Sequence, residues 1–324
     1  MRAQPEVLRA LASAERPALG PPPEAIVIVA RGSSDYAAIF GRYLLEAATG
    51  KPVALAAPSL QTLYGVESKL AGWLAIGISQ SGRTPEIATV LERYRDAGAR
   101  TFAITNDPDS PLYASADAAI ALAAGAEAAV PATKTFTAQL AALALVAEAL
   151  GPVPWTRADR QRVPEAIAAV LEDSGPGERA AARLDGSDEL IAVGRGYLMP
   201  IALEAALKLR EAAGLRAEGW SAADFRHGPV TVAGARLPVL AVSAAGPAAA
   251  DVEELARRLE SGGATVLRLA DDPAVDLPYP GELPEPLRAL PAAVRAQQLA
   301  LAVARRRGLD PDAPPGLRKV TQTR

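Results

Sequence analysis

Two groups of residues in this chain have the types and spacing to do chemistry. The first is Ser79–Thr84, read as SQSGRT, with Ser33 and Ser34 of RGSSD upstream. Both segments follow a short apolar run, IVIVA (26–30) or LAIGIS (74–79), and both lead into a helical stretch. A helix start carries partial positive charge and unpaired backbone N–H groups. Gly82 lets the backbone approach a ligand closely. Ser79, Ser81 and Thr84 add hydroxyls and Gln80 an amide. Serine and threonine also cap helices, but so many donors on two strand-end loops point to one bound anion, most naturally a phosphate. Neither loop matches the dinucleotide or Walker A glycine pattern, and both RGSSD and GRGYL lack the third glycine, which lowers nucleotide binding in the order of readings.

The second group is Glu204, Lys208 and Glu211 in PIALEAALKLREAAG (200–214). Pro200 suits the first turn of a helix and Gly214 its end. The spacing i, i+4, i+7 puts all three on one face. Such a trio also makes an ordinary solvated ion-pair face. Its alanine and leucine neighbours, however, are expected to desolvate a carboxylate partly, which raises its proton affinity toward the range useful for shuttling a proton. His227, in the polar turn DFRHGP, is the chain's only histidine. A lone histidine is more often structural, yet this one titrates naturally near neutral pH and sits on a loop, so it is a second acid–base candidate.

The elements that must position these groups follow from patterning. Residues 1–20 read as an amphipathic helix ended by Gly20 and Pro21–Pro23. Strands at 26–30, 74–79, 101–105 and 118–123 then alternate with helices at 36–48, after QSGRT, and at 133–150. Residues 152–187, rich in proline, charge and glycine, read as a connector with a helical middle. The pattern restarts at ELIAV (189–193). Strand–helix alternation predicts an α/β fold with parallel sheets flanked by helices.

The restart is a repeat. Arg31–Gly32 aligns with Arg195–Gly196, and the same offset of 164 residues pairs Ser79 with Ser243, Gly82 with Gly246, Gly98 with Gly262 and Thr101 with Thr265. One offset held over this length argues for two copies of one unit. The copies have diverged where it matters: SQSGRT in the first faces SAAGPA (243–248) in the second. Only one half keeps the anion-binding side chains. The expected boundaries are an N-terminal helix (1–23), a first domain with the anion site (24–151), a helical connector (152–187), a second domain (188–290), and a C-terminal helix and tail (291–324).

Composition bounds the rest. The 324 residues are half hydrophobic, with a net charge of −3 and a pI near 5.5. That gives no electrostatic footprint for nucleic acid or anionic lipid. Arg305–Arg307 reads as a solvated helix end. There is no cysteine, which removes disulfides, thiolate metal sites and cysteine nucleophiles. A lone histidine leaves no His-rich metal site, so no metal is expected. The chain shows no signal pattern and no apolar run near the roughly 20 residues of a membrane helix, so a cytoplasmic protein is expected.

RGSSDYAAIFGRYLLE, AAPSLQTLYG, ISQSGRTPEIATVL, VPATKTFTAQL, GRGYLMPIALEAALKLREAAGLRAEGWSAADFRHGP and the tail DAPPGLRKVTQTR resemble the SIS (sugar isomerase) family from about residue 24 to the end. They are similar to the isomerase half of glucosamine-6-phosphate synthase, and more closely to SIS-type glucosamine-6-phosphate deaminases. The synthase's glutaminase half needs an N-terminal cysteine nucleophile, and with no cysteine in this sequence that half is expected to be absent. The resemblance implies two tandem SIS domains, each a flavodoxin-like or Rossmann-like three-layer sandwich. It implies that Ser33, Ser34, Ser79, Gln80, Ser81, Thr84 and Val130 bind the phosphate and sugar. Glu211 would move the proton between C1 and C2 of the opened sugar, with Lys208 supporting the site. His227 would assist ring opening and, as in the synthase, come from the partner subunit of a homodimer whose active site lies at the subunit interface. Lys319 would contact the open-chain sugar. Arg83 departs from the synthase's acidic residue, and Arg318 and Val320 from its small residues beside Lys319. The implied reaction is deamination of glucosamine 6-phosphate to fructose 6-phosphate and ammonia, which requires no metal or organic cofactor. Other amino-sugar-phosphate deaminases or isomerases, a fructosamine-phosphate deglycase, and a sugar-phosphate sensor module are the alternatives.

Overall fold

The computed structural model describes residues 1–234 and 237–317. Helix α1 (Gln4–Ser13) comes first. It stops well short of the expected Gly20, because Pro17 has no N–H to donate and biases Arg16 away from helical angles. Next come β1 (Ile26–Val29), α2 (Ser33–Thr49), β2 (Val53–Leu55), α3 (Ser59–Thr62), β3 (Leu74–Ser79), α4 (Pro85–Asp96), β4 (Arg100–Thr105), α5 (Pro111–Ala114), β5 (Ala118–Ala121) and α6 (Lys134–Leu150). Strands β1 to β5 form one sheet in the order β2-β1-β3-β4-β5, with every neighbouring pair parallel.

Period-two alternation explains the layers around this sheet. Val27, Val29, Ala75 and Ala103 point to one face and pack on Ile87, Val90, Leu91 and Tyr94 of α4. The opposite face carries α2 and α6. A Cβ at Gly41 of α2 would press against Leu143 of α6 and Ile28 of β1, so a glycine there lets the two helices and the sheet close together. The edge strand β2, three residues long in an alanine-rich stretch, gave no strand signal in the sequence.

The second unit gathers Met1–Glu6, Ala128–Thr133 and Arg157–Leu317; the first holds Val7–Glu127 and Lys134–Thr156. Within the second unit lie α7 (Arg157–Gln161), α8 (Val163–Glu172), α9 (Gly175–Ala182), β6 (Glu189–Gly194), α10 (Met199–Ala213), β7 (Arg216–Ser221), α11 (Ala222–Arg226), β8 (Val239–Val242), α12 (Ala249–Ser261), β9 (Val266–Ala270), β10 (Leu277–Pro278) and α13 (Glu285–Arg306). The sheet order is β10-β9-β8-β6-β7, again all parallel. Shifting by 164 residues carries β1, α2, β2, β3, α4 and β4 onto β6, α10, β7, β8, α12 and β9. The repeat is therefore structural as well as sequential.

Helix α13 starts at Glu285 and runs through Pro291, so the expected boundary at 290/291 falls inside it. Proline reads as a helix break, but packing of α13 on α8, α9 and α10 carries the helix through. The stretch expected as a connector, from α7 to α9, is folded into this second unit. Buried Arg295 on α13 fixes it there: its Nη1 donates to Asp173 O and its Nε to Pro278 O, both at hydrogen-bond distance (2.6 and 2.8 Å).

Helix α10 lies close over β7 at Gly219, where a Cβ would stand 2.7 Å from Leu203 Cα. Backbone cannot give way as a flexible side chain can. Gly219→Ala should cost about 1–3 kcal/mol through overpacking, read as a lower urea midpoint. Gly234→Ala, where a Cβ meets nothing within 4 Å, should leave that midpoint unchanged.

Candidate functional site

The strand order of the first sheet reverses between β1 and β3, the place where open α/β sheets bind ligands beyond their carboxyl ends. RGSSD follows β1 and SQSGRT follows β3 at this point. An ion pair ties the two loops: Arg31 Nε and Nη2 donate to both carboxylate oxygens of buried Glu86, at 3.0 and 3.1 Å. A planar guanidinium on a carboxylate fixes direction as well as distance.

Capping, the ordinary explanation for these serines and threonines, does not operate here. The residues preceding the first turns of α2 and α4 are Gly32 and Thr84, and neither helix start is capped by a side chain. Ser79 instead shapes the turn, its Oγ accepting from Gly82 N at 3.1 Å. Ser81 Oγ accepts from Arg83 N at 3.2 Å, and Gln80 O accepts from Asn106 N at 3.1 Å. Gly82 has φ of 62°, and an added Cβ would overlap the side chains of Ser110 and Thr105, so only glycine fits. Ser34 and Ser79 are buried, whereas Ser33, Gln80, Ser81 and Thr84 keep part of their surface open. Arg83 reaches Asp107 at 2.7 Å. The backbone N–H of Asp109, followed by Arg83, holds the Asp107 carboxyl below its usual range.

The matching turn of the second half is already filled. Ala245, the counterpart of Ser81, donates its N–H to both oxygens of Asp271 at 2.9 and 3.1 Å. Arg288 binds Asp271 as well, and the Glu285 carboxylate lies where a Cβ of Gly246 would be. Burial foremost, with Asp271 adding to it against the opposing pull of Arg288, raises the Glu285 carboxyl above its usual range. Two carboxylates thus already occupy this turn.

Helix α10 carries the trio Glu204, Lys208 and Glu211. Glu204 and Lys208 are each 2% exposed, and the Glu211 side chain is 22% exposed. Lys208 Nζ lies 3.5 Å from Glu204 and is paired directly with Glu211 Oε2. The deepest carboxylate is thus Glu204, while Glu211 combines an open end with a fixed one. Burial favours the neutral amine of Lys208, but Glu204 and Glu211 outweigh it and raise Lys208 above its ordinary 10.5.

His227 is exposed and ends α11, its N–H donating to Asp224 O at 3.0 Å. Strands β6 and β7 are parallel, so α10, which joins them, runs back against both. Glu211, in its last turn, belongs to the edge where β7 begins; His227 follows the edge where β7 ends. Six strand residues span about 20 Å. One chain therefore places these two residues at opposite edges of the second sheet. Val130 N donates to Asp312 O at 2.9 Å, fixing that segment to the C-terminal tail. Lys319 lies outside the described residues. Sequence reading passed over Arg31, Glu86 and Gln139; the arginine of RGSSD was a signal for the first of these.

The two matching sheets define a duplicated α/β protein in which one half keeps a loop pair rich in hydroxyl and amide side chains. Its sequence matches the SIS domain model over residues 22–149 and 184–278, and the chain belongs to that family. A glutamine–fructose-6-phosphate aminotransferase (isomerizing) of Gloeobacter violaceus is 35% identical over 313 residues, covering 91% of this chain and 51% of the relative. The chain spans about half the length of the curated relatives it matches. A Silicibacter pomeroyi structure, provisionally assigned as a phosphosugar isomerase, is 33% identical with a TM-score of 0.78 and covers 95% of this chain and 91% of its own. The glucosamine-6-phosphate deaminase of Thermotoga maritima shares the fold, with 24% identity, a TM-score of 0.78 and coverage of 99% and 97%. No helix among the described residues is long and apolar enough to cross a membrane.

Removing Lys208 leaves two carboxylates with no cation between them. Lys208→Met should cost about 3–5 kcal/mol. Because the folded pKa is raised, this contribution is complete below 10.5 and is lost as pH rises beyond it. Urea midpoints of wild type and variant should keep a constant gap through neutral pH, and the gap should narrow only in the alkaline range.

Proposed function

We propose that this chain is a deaminating aldose–ketose isomerase that converts glucosamine 6-phosphate to fructose 6-phosphate and ammonia. The observation that carries the reading is that one half of the chain keeps an uncapped, donor-rich turn at 79–84 while the other carries a partly exposed carboxylate, Glu211, held by a buried lysine. The resemblance in names supports the substrate class: the curated relatives act on fructose 6-phosphate by name, and the Thermotoga protein of the same fold is a glucosamine-6-phosphate deaminase by name. We assign each half the flavodoxin-like three-layer form, which the strand order 2-1-3-4-5 supports.

The phosphate docks on Ser34, Ser79, Gln80, Ser81 and Thr84, and Ser33, Val130 and Lys319 contact the rest of the sugar. His227 exchanges the proton that opens the ring to the aldehyde. The Glu211 carboxylate takes the C2 proton, giving an enolamine, and returns a proton to C1. The C2 amine is now an imine of fructose 6-phosphate; water adds to C2 and ammonia leaves. One base serving two adjacent carbons requires a substrate that stays put, and binding energy from the distant phosphate supplies that hold.

Glu211→Gln should bind the sugar phosphate with little change yet release no ammonia in a coupled assay. An active variant refutes the assignment of the base. The relatives favour a second reading, the same chemistry run toward the amino sugar with free ammonia. Measuring the approach to equilibrium from both sugars decides the direction.

The edge-to-edge separation of Glu211 and His227 leads us to assign His227 to the site of a second copy in a homodimer. Glu211→Gln and His227→Ala, each inactive alone, should then complement when unfolded together and refolded. A hybrid dimer keeps one complete site, so random mixing should restore about a quarter of wild-type activity. Recovery no greater than the sum of the separate variants would show that both residues act within one chain.

A further inference from the structure

We infer that Gln139 is a positioning residue of the anion turn, holding the Ser34 hydroxyl so that its hydrogen faces a bound phosphate. The inference rests on the phosphate reading of that turn. Helix α6 is buried along its whole middle, from Thr135 to Ala147, and Gln139 is the amide in that apolar stretch, 1% exposed. Its Nε2 donates to Ser34 Oγ at 2.9 Å. Ser34 is itself 6% exposed, in the first turn of α2, whose start no side chain caps. With one lone pair engaged by Gln139, the Ser34 oxygen keeps its hydrogen to give, and a phosphate can only accept.

Gln139 Oε1 has no hydrogen-bond partner among the described residues. The amide is thus not part of a polar network in the core; its bond to Ser34 is what it makes there. A buried acceptor left unpaired is a cost that leucine would avoid. The reversed amide would take the Ser34 hydrogen and leave a whole NH2 group unpaired in place of one carbonyl, a worse arrangement. Gln139 therefore fixes the direction of Ser34 from behind, touching no substrate.

The test is a double-mutant cycle on phosphate affinity. Inorganic phosphate is titrated calorimetrically into wild type, Gln139→Met, Ser34→Ala and the double variant, and KM and kcat for glucosamine 6-phosphate are measured on all four. Gln139→Met should weaken phosphate binding and raise KM about tenfold, with kcat within twofold of wild type. The double variant should bind no more weakly than Ser34→Ala alone. Gln139→Glu covers the case in which the methionine variant fails to fold: its carboxylate would accept the Ser34 hydrogen, and phosphate binding should fall further than in the methionine variant. Additive losses in the cycle, or a fall in kcat with phosphate affinity unchanged, overturn the inference. A wild type that binds no phosphate overturns the reading of the turn and this inference with it. A wild type that binds phosphate but releases no ammonia overturns the deaminase reading alone, and the phosphate cycle still decides the role of Gln139.

Discussion

Lys208 is an ammonium on a helix otherwise made of alanine and leucine, and its burial dictates much of what surrounds it. A buried cation is tolerable only with close anionic partners. On a helix those partners must come from one turn away, and Glu204 and Glu211 supply them at i−4 and i+3. The pairing fixes which face of α10 turns inward. It also fixes Glu211, whose Oε2 is held by Lys208 while the side chain stays partly exposed. Close approach of α10 to β7 at Gly219 follows, and α13 closes over the same helix. Arg295 then extends the chain of constraint to α8 and α9. A proton-transfer group in the proposed role gains from this: its position is set by a core interaction and not by a mobile surface side chain.

The duplication shows which features of the unit are architectural and which are functional. Both halves tie the loop after the first strand to the first turn of the helix after the third strand. In the first half Arg31 holds Glu86; in the second Arg195 reaches Asp251 at 3.6 Å, with Arg226 holding the same carboxylate at 2.6 Å. That ion pair is retained because it positions two loops whatever they bind. The turn itself is not retained. In the first half the turn is braced by its own serines, Ser79 and Ser81, and no side chain caps either helix start; in the second, Asp271 and Glu285 occupy the equivalent place. The same turn thus bonds to its own hydroxyls in one copy and to an internal carboxylate in the other. The two copies differ at the turn: one keeps hydroxyl and amide side chains there, and the other fills the place with acids.

Much of this was legible before any coordinates. Apolar runs ending in RGSSD and SQSGRT located both loops, and the offset of 164 predicted the equivalence that the sheets display. The i, i+4, i+7 trio was visible, but its spacing alone does not distinguish a solvated face from a buried one; the closeness of α10 to β7 and α13 decides that. What stayed hidden depended on long-range contact. Gln139 lies 105 residues from Ser34, and nothing local marks it as more than a polar interruption of an apolar helix. Asp271 and Glu285 look like loop acids until the second turn is seen around them. Pro17 and Pro291 read alike in sequence, yet one ends its helix and the other lies within a helix that packing sustains. The short strand β2 is a sheet edge whose pairing with β1 supplies what its composition does not.

Topology adds a last constraint on the chemistry. In a parallel strand–helix–strand unit, the helix must return to the edge from which the next strand leaves. A base placed in the last turn of that helix is therefore separated by the length of a strand from any group on the loop that follows the strand. Glu211 and His227 are such a pair. If ring opening and proton transfer act on one small sugar, no rotation of side chains within a single second sheet spans that distance, since a lysine-length side chain reaches only about a third of it. The two groups can meet on one substrate only if another copy of the chain brings the loop of one sheet to the helix end of the other. The dimer in the proposed mechanism is thus a consequence of where α10 must end.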